Sequence, residues 1–275
     1  GDDVSNYSVT DQSSTTAAIV KKSLTAATSS SNKTYNGDAT ATTTLSFSGL
    51  VGSETLGQSV SSTFNNKNVG TGKTVTVNSI TLSDGSNGGV ASNYSISSGQ
   101  TTTANITAKA LTVSGITASN KTYDGNTVVT LDLTGTSYSG LVSGDDVSIS
   151  ASGSFDNKNV GTGKTVNISS SYSGSDVGNY SITDQATTTA NITASVSGIT
   201  VRGITASNKT YDGNNSATLD TSNVSYSGLV EGDDVTGSLS GTFSNANVGS
   251  NKTVNISSSY SGADVGNYTI TDQST

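Results

Sequence analysis

Paired acidic residues are the feature of this chain with the clearest potential for chemistry. Asp145-Asp146 and Asp233-Asp234 lie in Gly- and Ser-rich segments typical of turns. Calcium binds through several carboxylate and carbonyl oxygens, so these four residues are candidate calcium ligands. A related segment earlier in the chain offers Glu54 alone, and the spacing matches neither an EF-hand loop nor a nonapeptide calcium repeat. We therefore expect no cofactor, with calcium as the alternative.

A second candidate is the motif Tyr-Asp-Gly, which occurs twice and is preceded by one Tyr-Asn-Gly. Asp and Asn both tolerate the left-handed backbone of a tight turn, and Gly adopts it without strain. The exchange of Asn for Asp therefore favours a turn over a carboxylate-dependent site. The predicted turn residues are Asn36, Gly37, Asp124, Gly125, Asp212 and Gly213.

Two further patterns point to other chemistry. Gly161-Thr162-Gly163-Lys164 looks like the end of a phosphate-binding loop, but Lys158 stands where the first glycine of that loop is required. Lys121 and Asn191 could form an isopeptide bond beside a buried acid, but no such acid is identifiable in the sequence.

The chain has no His and no Cys, which removes the commonest general base and the thiol nucleophile. We therefore expect it not to be an enzyme.

The composition favours an exported protein. Ser and Thr make up 97 of the 275 residues, and Cys is absent. The net charge is −8 and the 12 Lys and Arg residues are scattered, which argues against nucleic acid as a partner. No apolar run reaches the length of a membrane span, and no signal peptide is recognisable.

Three copies of one module follow one another. The motif Asn-Lys-Thr-Tyr-(Asn/Asp)-Gly begins at residues 32, 120 and 208. The third copy stops before its Thr-Thr-Ala-Asn-Ile-Thr segment, a predicted last strand, whereas the chain begins with a module tail. We expect either a window of a longer array or chains that complete one another by donating a strand. The predicted divisions are 1–21 (last strands of a preceding repeat), 22–108, 109–194 and 195–275 (a third repeat without its last strand).

Short runs of alternating apolar residues, such as Val129, Leu131 and Leu133, predict β-strands, and the Thr and Val content disfavours helix. About seven short strands in each module would fit an immunoglobulin-like fold. We predict tandem immunoglobulin-like antiparallel β-sandwich modules, joined without flexible spacers into an extended rod. The predicted core residues are Tyr123, Phe155, Tyr180, Ile182, Tyr211, Phe243 and Tyr268.

Four sequence motifs carry a resemblance to a known family. They are Lys-Thr-Tyr-Asp-Gly at 121–125 and 209–213, Gly-Leu-Val-Ser-Gly-Asp-Asp-Val at 140–147, Asn-Lys-Asn-Val-Gly-Thr-Gly-Lys-Thr-Val at 157–166 and Gly-Asn-Tyr-Ser-Ile at 178–182. With their counterparts they cover nearly the whole chain, and they resemble the YDG-type repeat of bacterial surface and secreted adhesins, including filamentous-haemagglutinin-like exoproteins. The resemblance implies extracellular stalk modules of the bacterial cell surface or of secreted proteins, without catalytic residues.

The leading functional hypothesis is a structural stalk or fibre repeat that spaces a distal binding region in adhesion or biofilm formation. Neighbouring repeats of the same protein are the expected partners. One alternative is a filament subunit whose partners are identical chains joined by strand donation. Another is a glycan- or surface-binding module that uses Thr-rich strand faces such as 40–44.

Overall fold

The regular structure of this protein is all-β. The computed structural model describes residues 1–273, and no α-helix is found within them. Nor does this range contain a helix long and apolar enough to cross a membrane. The all-β prediction is confirmed. Short 3-10 turns lie at Val4–Asn6, Ala91–Asn93, Val177–Asn179 and Val265–Asn267.

The strands recur in the same order in each repeat. Those of the first repeat are β1 (Lys22–Ser23), β2 (Thr25–Ser30), β3 (Lys33–Thr34), β4 (Thr40–Ala41), β5 (Thr43–Ser48), β6 (Leu56–Phe64), β7 (Gly70–Asp84), β8 (Tyr94–Ser95) and β9 (Thr101–Thr107). Those of the second are β10 (Lys109–Ser114), β11 (Thr117–Ala118), β12 (Lys121–Thr122), β13 (Val128–Val129), β14 (Leu131–Asp132), β15 (Ser137–Ser139), β16 (Ser148–Phe155), β17 (Gly161–Ser173), β18 (Tyr180–Thr183) and β19 (Thr187–Thr193). Those of the third are β20 (Ser195–Arg202), β21 (Thr205–Ala206), β22 (Ser216–Ala217), β23 (Leu219–Asp220), β24 (Ser225–Ser227), β25 (Thr236–Phe243), β26 (Val254–Ser261) and β27 (Tyr268–Thr271).

A five-stranded mixed sheet is the centre of each of the first two repeats. Its strand order is β3-β9-β7-β6-β4 in the first repeat and β12-β19-β17-β16-β13 in the second. The long strands pair antiparallel, but β3 and β12 run parallel to the last strand of their repeat. The prediction of purely antiparallel sheets is therefore wrong. A parallel pair needs a long connection between its strands, and here most of the repeat forms that connection.

The core of each repeat is built by alternate residues of these strands. Val75 and Val77 of β7 are 0% and 1% exposed, and Ile106 of the neighbouring β9 is 1% exposed. In the second repeat, Val166 and Ile192 take corresponding places. Because side chains alternate across a strand, this period of two gives each sheet an apolar inner face and an outer face rich in Ser and Thr.

The predicted core residues divide into three groups. Four are buried, namely Tyr123, Phe155, Tyr180 and Tyr268, whereas Ile182 and Phe243 are half-buried. Tyr211 is 64% exposed, so its prediction as a core residue is wrong. Its counterpart Tyr123 is held by a hydrogen bond from its backbone N–H to the oxygen of Thr193, next to β12, which pairs with β19. Within residues 1–273 the third repeat has no strand equivalent to β19, and residues 209–211 form no strand.

A lysine links the two outer strands of each five-stranded sheet. The Lys121 side chain extends from β12, and its ammonium donates to the backbone oxygens of Asn126 (3.1 Å) and Val128 (3.0 Å), at the opposite edge of the sheet. It also forms an ion pair with Asp124 at 2.6 Å. These bonds lie within the motif segment and do not involve Asn191, the residue considered for an isopeptide bond. Lys33 and Lys209 make the equivalent backbone contacts.

The carboxylate that pairs with this lysine changes position between repeats. In the second repeat it belongs to Asp124, and Asn126 follows two residues later. In the first repeat Asn36 replaces that aspartate, and the ion pair is made by Asp38 at 2.8 Å from the lysine. We expected the Asp of the motif to act only through its turn conformation, and this is incomplete. In each repeat one carboxylate of this segment forms an ion pair with the lysine.

The glycine of the motif adopts the backbone conformation expected for a turn. Gly37, Gly125 and Gly213 have φ values of 88°, 79° and 80°, where a side chain would cause strain. The turn does not join the two strands of a hairpin. In the first two repeats it connects strands at opposite edges of one sheet.

We expect Lys121→Met to lower the free energy of unfolding of the second repeat by about 1–3 kcal/mol, since two backbone oxygens and one carboxylate lose their donor. Hydrogen exchange across β12 and β13 measures the change repeat by repeat. Lys21→Met is the matched control, because Lys21 lies in the exposed N-terminal segment. Equal effects of the two substitutions would contradict the role assigned to Lys121.

Candidate functional site at the junction between repeats

The compact units of this chain do not follow the sequence repeats. The first unit comprises Gly1–Lys109 together with Val142–Asp145 and Gly178–Ser181, two segments that belong by sequence to the second repeat. The second unit comprises the rest of the chain and contains the corresponding segments of the third repeat. Each unit therefore contains one junction, in which a repeat packs against two segments of the repeat that follows it.

The first junction is centred on a buried aspartate. The hydroxyls of Tyr35 and Tyr180 donate to the same carboxylate oxygen, Asp145 Oδ2, at 2.8 and 2.5 Å. The Lys67 ammonium lies 3.1 Å from the other oxygen, and the Asp145 side chain is 4% exposed. The two tyrosine rings meet edge to face, with centroids 5.5 Å apart and an interplanar angle of 77°. The tyrosine of the Tyr-Asn-Gly motif thus binds the first aspartate of the next repeat's Gly-Asp-Asp segment.

The second junction repeats this geometry. Tyr123 and Tyr268 donate to Asp233 Oδ2 at 2.7 and 2.5 Å, and their rings lie 5.4 Å apart at 76°. Lys158 contacts Asp233 at 2.5 Å and Asp264 at 3.0 Å. In both junctions the motif tyrosine and its aspartate are 110 residues apart in the chain. The arrangement is therefore a property of the repeat.

The tyrosine contributed by the following repeat also fixes that repeat's own loop. The backbone N–H of Val142 donates to the Tyr180 hydroxyl at 2.9 Å, and that of Val230 donates to Tyr268 at 3.0 Å. Each hydroxyl therefore accepts from a backbone amide while it donates to the aspartate. This orients the Gly-Leu-Val loop towards the preceding repeat.

A buried asparagine makes a second polar contact in each junction. Asn179 Oδ1 accepts the backbone N–H of Val69 at 2.9 Å, and Asn267 Oδ1 accepts that of Val160 at the same distance. The two asparagines are 4% and 3% exposed. Since an unpaired amide would be costly at such burial, these bonds fix the register between the repeats.

The motif glycine is also required by close packing. A Cβ added at Gly37 would lie 2.7 Å from Val142 Cγ1, and one added at Gly125 would lie 2.7 Å from Val230 Cγ1. Gly213 meets no atom within 4 Å. In the first and second repeats, the lack of a side chain at this glycine thus allows a valine of the next repeat to contact the backbone of the turn.

The electrostatics favour a charged carboxylate and neutral tyrosines. Burial acts to raise the pKa of Asp233, but Lys158 and the hydroxyls of Tyr268 and Tyr123 outweigh it and hold that pKa below its ordinary value. Burial and the bond to Asp233 raise the pKa of Tyr268 to about 12. At neutral pH each tyrosine therefore keeps the proton that it donates.

The candidate calcium ligands are divided between two roles. Asp145 and Asp233 lie in separate junctions, where an ammonium and two hydroxyls contact each carboxylate. Asp146 and Asp234 contact their own repeats and accept the backbone N–H groups of residues 175 and 263 at 3.1 Å. In the part of the chain that the structure describes, no cluster of three or more His, Cys, Asp or Glu side chains suits a metal ion.

Sequence reasoning did not identify the lysine of the junction or the pairing of tyrosine with aspartate. Lys67 and Lys158 occupy the same position in the segment Asn-Lys-Asn-Val, where the third repeat has Ala246. The recurrence of one lysine in an otherwise polar loop was the available signal. It could not be interpreted without knowing that the loop faces an aspartate of the next repeat.

A double-mutant cycle with Tyr123→Phe and Asp233→Ala tests the junction. We expect a coupling free energy of about 1–2 kcal/mol, because the two residues share a buried, charge-assisted hydrogen bond. The free energy of unfolding of all variants is measured by urea denaturation. Tyr211→Phe is the matched control at the same motif position and should change it by less than about 0.5 kcal/mol. Additive effects of the first two substitutions would contradict the proposed bond.

The raised tyrosine pKa values predict a loss of stability at high pH. Tyrosines of an unfolded chain ionise near pH 10, whereas Tyr180 and Tyr268 ionise near 12 in the folded chain. Their contribution to stability is therefore complete below about pH 10 and decreases as the pH rises towards 12. Denaturation at several pH values, with tyrosinate absorbance as the second signal, measures this. Unchanged stability over that range would contradict it.

The family of the chain follows from a comparison with family models. The model described as the YDG domain matches residues 20–104, 107–190 and 195–275. A search of curated proteins finds no significant match, and neither does a search of solved structures. Each matched segment carries one copy of the motif whose tyrosine and glycine are described above. This chain belongs to the YDG domain family, of which it contains three tandem repeats.

Proposed function

We propose that this chain is a stalk of a bacterial extracellular adhesin, whose repeats hold a distal binding region away from the cell surface. Its function would be mechanical and not catalytic. In this proposal each repeat acts as an immunoglobulin-like module, and the modules follow one another as an extended rod. The observation that carries the proposal is the buried aspartate junction, which occurs with the same partners in both units.

Short connections between repeats also support the proposal. Only residue 108 separates β9 from β10, and only residue 194 separates β19 from β20. A one-residue connection between two strands leaves little freedom for bending, in contrast to a Gly- and Ser-rich linker, which behaves as a random coil. Polar contacts at the junction would restrict twisting in addition. A chain built in this way would transmit force between its ends without coiling.

The chemistry of the surface is compatible with an extracellular location, at the bacterial cell surface or in a secreted protein. The chain has no Cys, a net charge of −8 and many Ser and Thr residues. The outer positions of the long strands are mostly small hydroxyl side chains, for example along β17 and β26. Such a surface would remain hydrated without offering a basic or strongly apolar patch.

The test is to display a small epitope on a bacterial cell through this chain and to measure its distance from the membrane. We expect the natural sequence to project the epitope farther than a Gly-Ser linker of equal length, because the coil's end-to-end distance grows only as about the square root of its length. The double variant Asp145→Ala, Asp233→Ala should shorten the projection, and Glu231→Gln, an exposed neighbour, should not.

Small-angle scattering of the purified chain gives an independent measurement. An elongated particle is the expected result. A compact particle, or equal projection by the natural chain and the Gly-Ser linker, would contradict the stalk proposal.

A further inference from the structure

The first strand of a repeat is bonded to a strand from the later part of the same repeat. In the first repeat β1 pairs in parallel with β8, and in the third β20 pairs in parallel with β27. In the second repeat β10 lies beside β18, the counterpart of β8 and β27. The strand on which the chain enters a repeat is therefore held by backbone bonds to a segment far along the chain.

The motif segment forms a second parallel pair, with the last strand of its repeat. In the second repeat β12 pairs with β19 over two residues. Asn120 Oδ1 extends the pair by accepting the backbone N–H of Asn191 at 2.8 Å, and the N–H of Tyr123 donates to the oxygen of Thr193 at 2.8 Å. The first repeat has the same contacts. The whole stretch Asn-Lys-Thr-Tyr of the motif thus holds the last strand.

The direction of these strands decides how a pull along the chain would act on them. Tension pulls the start of a repeat backwards along its first strands and the end forwards along its last strand. In a parallel pair these pulls act in opposite directions on neighbouring strands, so all bonds between the strands are loaded together, in shear. In an antiparallel pair both pulls would act at the same end and would break the bonds one after another.

The motif tyrosine adds an anchor at the forward end of β12. Tyr123 directly follows this strand, and its hydroxyl donates to Asp233 of the third repeat at 2.7 Å. The Asp233 side chain is only 2% exposed and also contacts the Lys158 ammonium at 2.5 Å. Because β12 can slide backwards only if the bond between Tyr123 and Asp233 breaks, the next repeat takes up part of the load.

We propose that the first and second repeats are force-bearing clamps, in which parallel strand pairs resist tension in shear and the motif tyrosine passes part of the load to the next repeat. The inference rests on the stalk proposal for the existence of a pull along the chain. The resistance itself follows from strand direction and is measured separately. It gives the motif two mechanical roles, since its backbone holds the last strand and its tyrosine side chain holds the following repeat.

Single-molecule pulling on the full chain in two directions tests the clamp. The chain has no Cys, so an introduced pair of cysteines defines where the force is applied. Ala108→Cys with Ala194→Cys places the handles at the single residues that separate β9 from β10 and β19 from β20, which loads the second repeat in shear. Ser148→Cys with Ser173→Cys uses two exposed, directly paired residues at the open end of the hairpin β16–β17, which peels the same repeat apart.

We expect a rupture force at least about two-fold higher in the shear direction at the same loading rate, since bonds that share the load break together and not singly. The released length, about 3.5 Å per residue, identifies the segment that has opened. Neither cysteine pair removes a bond of the clamp, so the comparison does not depend on a destabilising substitution. Equal forces in the two directions, or a lower force in shear, would overturn the clamp.

The anchoring role of the tyrosine is tested by Asp233→Asn in both pulling variants. The rupture force of the second repeat should decrease in the shear direction and stay unchanged in the peeling direction, because peeling starts at the end of the hairpin remote from Lys158. Glu231→Gln, an exposed neighbour, is the matched control and should change neither force. A similar decrease in both directions would indicate general destabilisation and would overturn the transfer of load to the next repeat.

The clamp and the stalk proposal fail in different experiments. A chain that projects the epitope but opens at the same force in both directions would remove this inference and leave the stalk proposal intact. A chain with direction-dependent rupture and a compact scattering profile would do the reverse.

Discussion

The junction depends on one buried carboxylate that is neutralised by the preceding repeat. Asp145 and Asp233 are almost fully covered, and a charge at such burial is costly unless it is paired and hydrogen-bonded. The lysine and one of the two tyrosine hydroxyls come from the preceding repeat, whereas the other hydroxyl comes from the aspartate's own repeat. The loop that carries the aspartate is therefore satisfied only when the repeats are in contact. This makes the stability of one repeat dependent on its neighbour, as in other tandem arrays.

Inside each of the first two repeats, a second lysine connects the two edges of the five-stranded sheet. The five-stranded sheet has two edges that do not pair with each other, and the ammonium of Lys33 or Lys121 donates to backbone oxygens across the gap. The carboxylate beside that ammonium belongs to Asp38 in the first repeat and to Asp124 in the second. The contact is retained although the residue that provides it has moved by two positions. A small repeat with few large apolar residues thus uses charged side chains to complete its sheet.

The third repeat illustrates how strongly the motif depends on its surroundings. Its motif at 208–213 is identical to that at 120–125 in the second repeat. Tyr211 is nevertheless exposed, and Phe243 is only half-buried. In the other repeats the corresponding tyrosine lies between a last strand of its own repeat and an aspartate of the next one. The described residues provide neither for Tyr211. The strand pairing of the motif and the burial of its tyrosine are therefore decided by two neighbours that lie far from it in sequence.

The sequence by itself determined the number of repeats, the all-β class and the left-handed glycine of the motif, because these depend on recurrence, on side-chain period and on local backbone preference. Tertiary structure alone decided the parallel pairing of β12 with β19, the closing lysine, and the contact of Tyr123 with Asp233. The pairing of β12 with β19 and the contact of Tyr123 with Asp233 join residues that are distant in the chain, and 110 positions separate the last pair. Lys121 lies only five and seven positions from Asn126 and Val128, but its bonds connect two edges of the sheet whose order depends on the strands between them. Local patterns cannot encode such a contact, since the energy of a hydrogen bond depends on which groups burial brings within reach.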